Sequence, residues 1–177
     1  MINKSTLTFY TFILSICISI CSISNSFSQE NNIFELKTHN TESKTSSKLK
    51  SDKKDNNNRE VFNNLAYNLH PSIFIENGIE KTVYGDGLPI KLIFEDVNSL
   101  KTFSLNNEKF NEVQILTIKI NSLSDLSNHY DFSEKPELKN LKFIFIKSNI
   151  KCNPEQLKQF IKTNSETQVF YTINRPS

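Results

Sequence analysis

The chain has 177 residues, with 21 Lys and Arg against 19 Asp and Glu, 3 His and 3 Cys. From Arg59 onward the two signs balance at 14 each, which gives no electrostatic footprint for nucleic acid or an anionic membrane. Three scattered histidines offer no metal-ligand spacing, and no cofactor is expected.

Lys4 precedes an apolar run from Leu7 through Ile23, and Ser26-Phe27-Ser28 supplies small residues at the two positions a signal peptidase reads. Residues 1–28 are therefore expected to be a signal peptide. The competing reading is a retained membrane anchor, which Ser15, Ser19, Ser22 and Ser24 weaken by diluting the run. Cys17 and Cys21 follow Ile16 and Ile20, where a lipoprotein signal wants small residues. The expectation is export to a periplasmic, cell-surface or extracellular site, without membrane insertion after cleavage. Cys152 would then be the lone cysteine, so the domain must be stable without a disulfide.

Residues 29–58 are rich in Lys, Ser, Thr, Asn and Asp, with Ile33, Phe34, Leu36 and Leu49 the only sizeable apolar residues. Such a segment buries too little surface to offset its ordering entropy and reads as a disordered linker. Folding is expected from Arg59, with residues 59–109 forming a capping region of helix and strands. Val61, Phe62, Leu65, Ala66 and Leu69 recur at helical spacing behind Asn58, a plausible N-cap, and Pro71 stops the helix. His70 reads as a helix-end residue answering the last carbonyls. Ile73-Phe74-Ile75 and Lys81–Tyr84 are candidate strands around the turn signal Asn77-Gly78. Gly85-Asp86-Gly87 is a second turn, since no third Gly, Lys or helix start follows at the distance a phosphate loop requires. Leu88, Ile90, Leu92 and Phe94 alternate along a further strand.

Leu138, Leu141, Ile144, Ile146 and Asn149 are spaced three, three, two and three apart, and Phe110, Val113, Leu116, Ile118 and Asn121 repeat that ladder 28 residues upstream. A partial third copy is Val169, Tyr171 and Asn174, and Val97 to Leu105 holds a degenerate first copy. Asn153-Pro154-Glu155 opens a helix with Leu157, Phe160 and Ile161 on one face. A shorter helix starting at Ser124 or Asp125 would return the chain after the first good copy.

On these residues the region 110–177 resembles the leucine-rich repeat family. The fold class this implies is α/β: a short parallel sheet with helical return arms, capped by the N-terminal helix and a β-hairpin. The alternative is a small α+β domain without true repeats. Members of that family are mostly binding scaffolds that use the concave strand surface. The resemblance therefore places Ile115, Thr117 and Lys119, then Phe143, Phe145 and Lys147, then Gln168, Phe170 and Thr172 on that surface. Phe143, Phe145, Phe170, Lys147, Thr117 and Lys119 are the candidate partner-binding residues, because contiguous exposed apolar surface marks interaction sites. Two readings compete: the Ile73–Phe94 strands cover the phenylalanines, or the sheet is buried on both faces.

The function expected from this is an exported, non-enzymatic recognition module for an unidentified protein or other macromolecule. Alternatives are a small secreted enzyme or enzyme subunit using His129 and Asp131, which needs a nucleophile or base brought from elsewhere, and a structural cell-envelope component. No catalytic residue and no metal ligand is assigned.

Overall fold

A computed structural model of the chain describes residues 33–36 and 53–174, with side chains in the second stretch described from residue 56. The expected signal peptide and most of the expected linker lie outside the described residues. Among those described, no helix is long and apolar enough to cross a membrane.

The protein is a mixed α/β structure built on one seven-stranded, mostly parallel sheet. Its strands are β1 (Ile33–Glu35), β2 (Ser72–Glu76), β3 (Ile79–Tyr84), β4 (Lys91–Phe94), β5 (Ile115–Ile120), β7 (Phe143–Ser148) and β9 (Gln168–Ile173). They lie in the order β1-β9-β7-β5-β4-β2-β3, and only β3 runs antiparallel to its neighbour. A minor pair joins β6 (Tyr130–Asp131) to β8 (Ile161–Lys162).

The apolar ladders pair in register. Leu116 stands beside Ile144 and Ile144 beside Val169, while Ile118 stands beside Ile146 and Ile146 beside Tyr171. The Asn that follows each strand is also matched: Asn149 Nδ2 donates to Asn121 Oδ1 at 2.7 Å. These inward side chains form the main core with Phe110, Val113, Leu138, Leu141, Leu157 and Phe160 from the connections. Helix α1 (Lys53–Tyr67) precedes β2, and the later connections cross one face as short helical turns. These are α2 (Ser99–Thr102), three 3-10 turns (Glu108–Glu112, Leu123–Ser127, Pro136–Leu138) and α3 (Pro154–Phe160). Asn153 caps α3, its Oδ1 accepting from Gln156 N at 2.9 Å and Gln156 Oε1 accepting from Asn153 N at 3.0 Å.

Five sequence expectations need correction. Ile33–Glu35 is a strand on the β9 edge and not linker, because Ile33 packs on the main core while Phe34 and Leu36 face the other side. Helix α1 starts five residues ahead of Asn58 and ends before Leu69, which is exposed. Val97 to Leu105 makes no strand. Ile73/Ile75 on β2 and Leu92/Phe94 on β4 continue the inward rows instead, so the sheet runs unbroken across residue 110. In the fourth, Leu88, Ile90, Leu92 and Phe94 do not share a face: Leu88 is exposed and Ile90 packs with Ile115 on the opposite side from Leu92. The return after β5 also starts earlier than expected, with Ser122 as its cap in a reciprocal box with Asp125.

The hairpin β2–β3 turns at Asn77-Gly78, with φ of 52° and 75°. Two consecutive positive φ values suit the strand twist, and Asn-Gly tolerates both. A Cβ at Gly78 would clash with Thr102 Oγ1. Asp96 locks this corner: it accepts from Asn77 N at 2.9 Å, from Ser99 N at 2.8 Å and from Ser99 Oγ at 2.6 Å. Ser99 Oγ in turn accepts from Gly78 N at 2.9 Å. Partial burial raises the Asp96 pKa, but the bonds from Ser99, Asn77 and Asn98 outweigh it and hold the carboxyl below its ordinary value.

Candidate binding face

The face opposite the connections is lined by every second strand residue, in three rows set by the register. The first row is Ser72, Lys91, Ile115, Phe143 and Gln168. The second is Phe74, Ile93, Thr117, Phe145 and Phe170, extended to Phe34 on β1. The third includes Glu95, Lys119, Lys147 and Thr172.

Helix α1 lies across part of this face. Val61, Phe62, Leu65 and Ala66 form its apolar stripe and pack on Ile115, Phe143, Phe145 and Phe170. Phe62 is fully buried, its ring centroid 4.1 Å from Phe170, 5.2 Å from Phe145 and 5.7 Å from Phe143. Phe34 stacks on the far side of Phe170 at 5.4 Å. Lys91 fastens the other end of the helix, donating to Asn68 O at 2.8 Å and Ala66 O at 3.3 Å. A cation there answers the exposed carbonyls of a helix C-terminus. Desolvation, reinforced by Lys147, lowers the Lys91 pKa.

Phe143, Phe145 and Phe170 are therefore no open surface: they are 4%, 1% and 5% exposed. The cover is α1 and not the Ile73–Phe94 strands, so β5, β7 and β9 are buried on both faces here. Thr117 is also buried, at the margin of the helix. Lys119 and Lys147 stand beyond it, partly exposed. Lys119 pairs with Glu95, and the Lys147 ammonium sits 5.1 Å from the centre of the Phe145 ring. Burial, and then Lys119, lower the Lys147 pKa, with Glu95 opposing.

The other part of the face lies on β3, β2 and β4, where Ser72 and Lys91 are buried and Lys91 reaches the end of α1. Phe74 and Ile93 are partly exposed there, next to Thr82 and Tyr84 on β3. Tyr67, at the end of α1, is 61% exposed and borders this area, with its ring 6.1 Å from Phe145. The outcome is an aromatic and aliphatic shelf across these three strands, bordered by Glu95 and its ion-pair partner Lys119. Sequence reasoning misses Phe74, Ile93, Tyr84 and Tyr67, since it reads β2 and β4 as a cap. Their signal is the same alternation that singles out Phe143 and Phe145.

The alternative centre does not assemble from its own residues. His129 is exposed, and its Nδ1–H donates to Gln159 O at 2.7 Å, at the end of α3. Asp131 turns to Ser133 N at 2.9 Å, to the Ser133 hydroxyl and to Lys162 Nζ at 2.9 Å, and those bonds hold its carboxyl well below the ordinary range. Both residues line a cleft of about 470 Å³ with Lys101, Ser104 and Lys135, but they do not bond each other. Cys152 is buried and does not line this cleft, and burial pushes its thiol pKa up. His70 donates through Nε2 to Asn64 O at 3.2 Å and Oδ1 at 3.0 Å, a helix-end role. Among the described residues no group of three His, Cys, Asp or Glu could hold a metal ion. Comparison with protein-family models, with curated proteins and with solved structures returns no match.

Proposed function

We propose that this protein is an exported recognition module of leucine-rich-repeat-like design, whose partner-binding surface is the part of the sheet face that α1 leaves open. The repeat reading draws support from five successive parallel strands that step along the sheet in chain order. Paired residues are 19 apart from Ser72 to Lys91, 24 to Ile115, 28 to Phe143 and 25 to Gln168, by subtraction of their numbers. Nearest-neighbour stacking of this kind buries a continuous core and leaves a broad sheet face for recognition.

The observation that carries the binding reading is the division of that face. The helix α1 covers the phenylalanine half, while Phe74, Ile93, Tyr84 and Tyr67 stay accessible beside a pair of lysines. Partly exposed aromatic and aliphatic side chains with a polar rim match the anatomy of protein-recognition surfaces. The partner proposed is an extracytoplasmic protein. A photo-crosslinking phenylalanine analogue at position 74, in cells, is expected to capture a discrete partner, and the same analogue at position 145 is not. Capture from position 145 with none from position 74 would sink this reading.

A further inference from the structure

We infer that β3 is a self-association strand, through which two copies of this chain join their sheets edge to edge. The strand ends the sheet order, so one side of its backbone has no neighbour strand among the described residues. All six of its residues are exposed, Ile79 at 57% and Val83 at 62% among them. It is as long as the central strands β5, β7 and β9 and contains no Pro. An edge of this length, with Ile79, Val83 and Tyr84 exposed on either side of Glu80 and Lys81, is a template for another strand unless something covers it.

The occupant is identified by self-complementarity. Antiparallel pairing of a strand with its own copy about a two-fold axis requires that opposed residues share a face. In an unbulged strand this forces one residue to stand opposite itself, and centring on Lys81 would oppose two ammonium groups. Here β3 carries a bulge: Thr82 pairs with Phe74 and Glu80 with Ile75, leaving Lys81 over. The bulge changes the alternation. Tyr84 pairs with Ser72 and Ile79 with Glu76, so Ile79, Thr82 and Tyr84 all lie on the face that meets α1, although Ile79 and Tyr84 are five residues apart. Glu80 and Val83, paired with Ile75 and Ile73, lie together on the other face. A register with the axis between Lys81 and Thr82 is then face-matched at both pairs that flank the bulge. It sets Ile79 against Tyr84 twice, Glu80 against Val83, and Lys81 against Thr82, with no like charges opposed. A foreign strand would not require this symmetry.

Global charge does not oppose the association, since the formal net charge of the chain is only +2. In the joined sheet the two open shelves become neighbours, because each is bordered by its own β3. The inference does not depend on the recognition reading: its test measures self-association, whereas that reading is tested by partner capture.

The test uses the full chain with Cys17, Cys21 and Cys152 replaced by Ser, prepared once with Ile79→Cys and once with Tyr84→Cys. Mixed under oxidation, the two preparations are expected to give a disulfide-linked dimer that neither forms alone, since each position faces the other across the axis. Sedimentation of the wild-type chain is expected to show a dimer. The double variant Ile79→Lys/Val83→Lys is expected to shift it to monomer with an unchanged circular dichroism spectrum, because both side chains are solvent-exposed. A wild-type chain that stays monomeric to concentrations on the order of 100 μM would overturn the inference. So would a dimer that survives the double lysine variant, or equal cross-linking by either preparation alone.

Discussion

The two halves of the sheet face that meets α1 are built from the same alternation of residues, yet the helix covers mainly one. On β5, β7 and β9 the outward residues are Ile115, Phe143, Phe145 and Phe170, and α1 seals them with Phe62. On β2 and β4 they are Ser72 and Lys91, which are buried, and Phe74 and Ile93, which stay partly exposed. The difference lies in side-chain size and in anchoring. Three phenylalanines side by side form an apolar surface too large to leave wet, and Lys91 pins the helix end at the border between the halves. A face can thus be part buried core and part accessible surface, with the boundary drawn by one helix.

The largest break in this contrast comes from Phe62→Ala. Removing a fully buried ring is expected to cost about 3–5 kcal/mol, and to raise binding of a hydrophobic dye as Phe143, Phe145 and Phe170 open. Denaturant unfolding with an environment-sensitive dye checks both. Asp96→Ala is expected to cost about 1–3 kcal/mol, since Asn77 N and Ser99 lose their acceptor at the hairpin corner. The sign of its pH dependence follows from the depressed carboxyl pKa. Its stabilisation is complete above the unfolded-chain value of about 3.9 and fades as pH falls through the lower folded value. Thermal midpoints of the wild type should therefore drop below about pH 4, and those of Asp96→Asn should drop less steeply. Asp131 adds to this in the same direction, but its exposure weakens its share.

Lys91→Met sharpens the contrast at its border. It removes the donor to Asn68 O and Ala66 O but relieves a desolvated ammonium, so a net cost of only about 1 kcal/mol is expected. Amide exchange in the last turn of α1 should rise more than exchange in β7. The smallest stability effect belongs to the open half. Ile93→Thr, at a partly exposed site, is expected to move stability by less than about 1 kcal/mol while weakening partner capture from position 74.

Much of the sheet was legible in the chain. The ladders at Leu116/Ile118 and Ile144/Ile146 set β5 and β7 directly, because strand period and inward branched residues coincide there. Asn153-Pro154 fixed α3 through local capping chemistry alone. What failed was non-local. Three-residue β1 has no signal apart from its pairing with β9, so Ile33, Phe34 and Leu36 read as strays in a polar segment. The stripe on α1 was visible as Val61, Phe62, Leu65 and Ala66. Its docking site, however, depends on tertiary packing between residues far apart in the chain, such as Phe62 and Phe170. The question that the sequence posed correctly was whether Phe143 and Phe145 are buried. The residues that stay open, Phe74 and Ile93, were hidden because β2 and β4 resemble a cap more than further rungs.

One sheet face is divided into a covered and an open half, and hydroxyl-radical footprinting of the full chain reads that division directly. Phe74, Tyr84 and Tyr67 are expected to be modified readily, while Phe62, Phe143, Phe145 and Phe170 are protected. Equal modification of Phe145 and Phe74, or protection of Phe74 with Phe145 reactive, would contradict it.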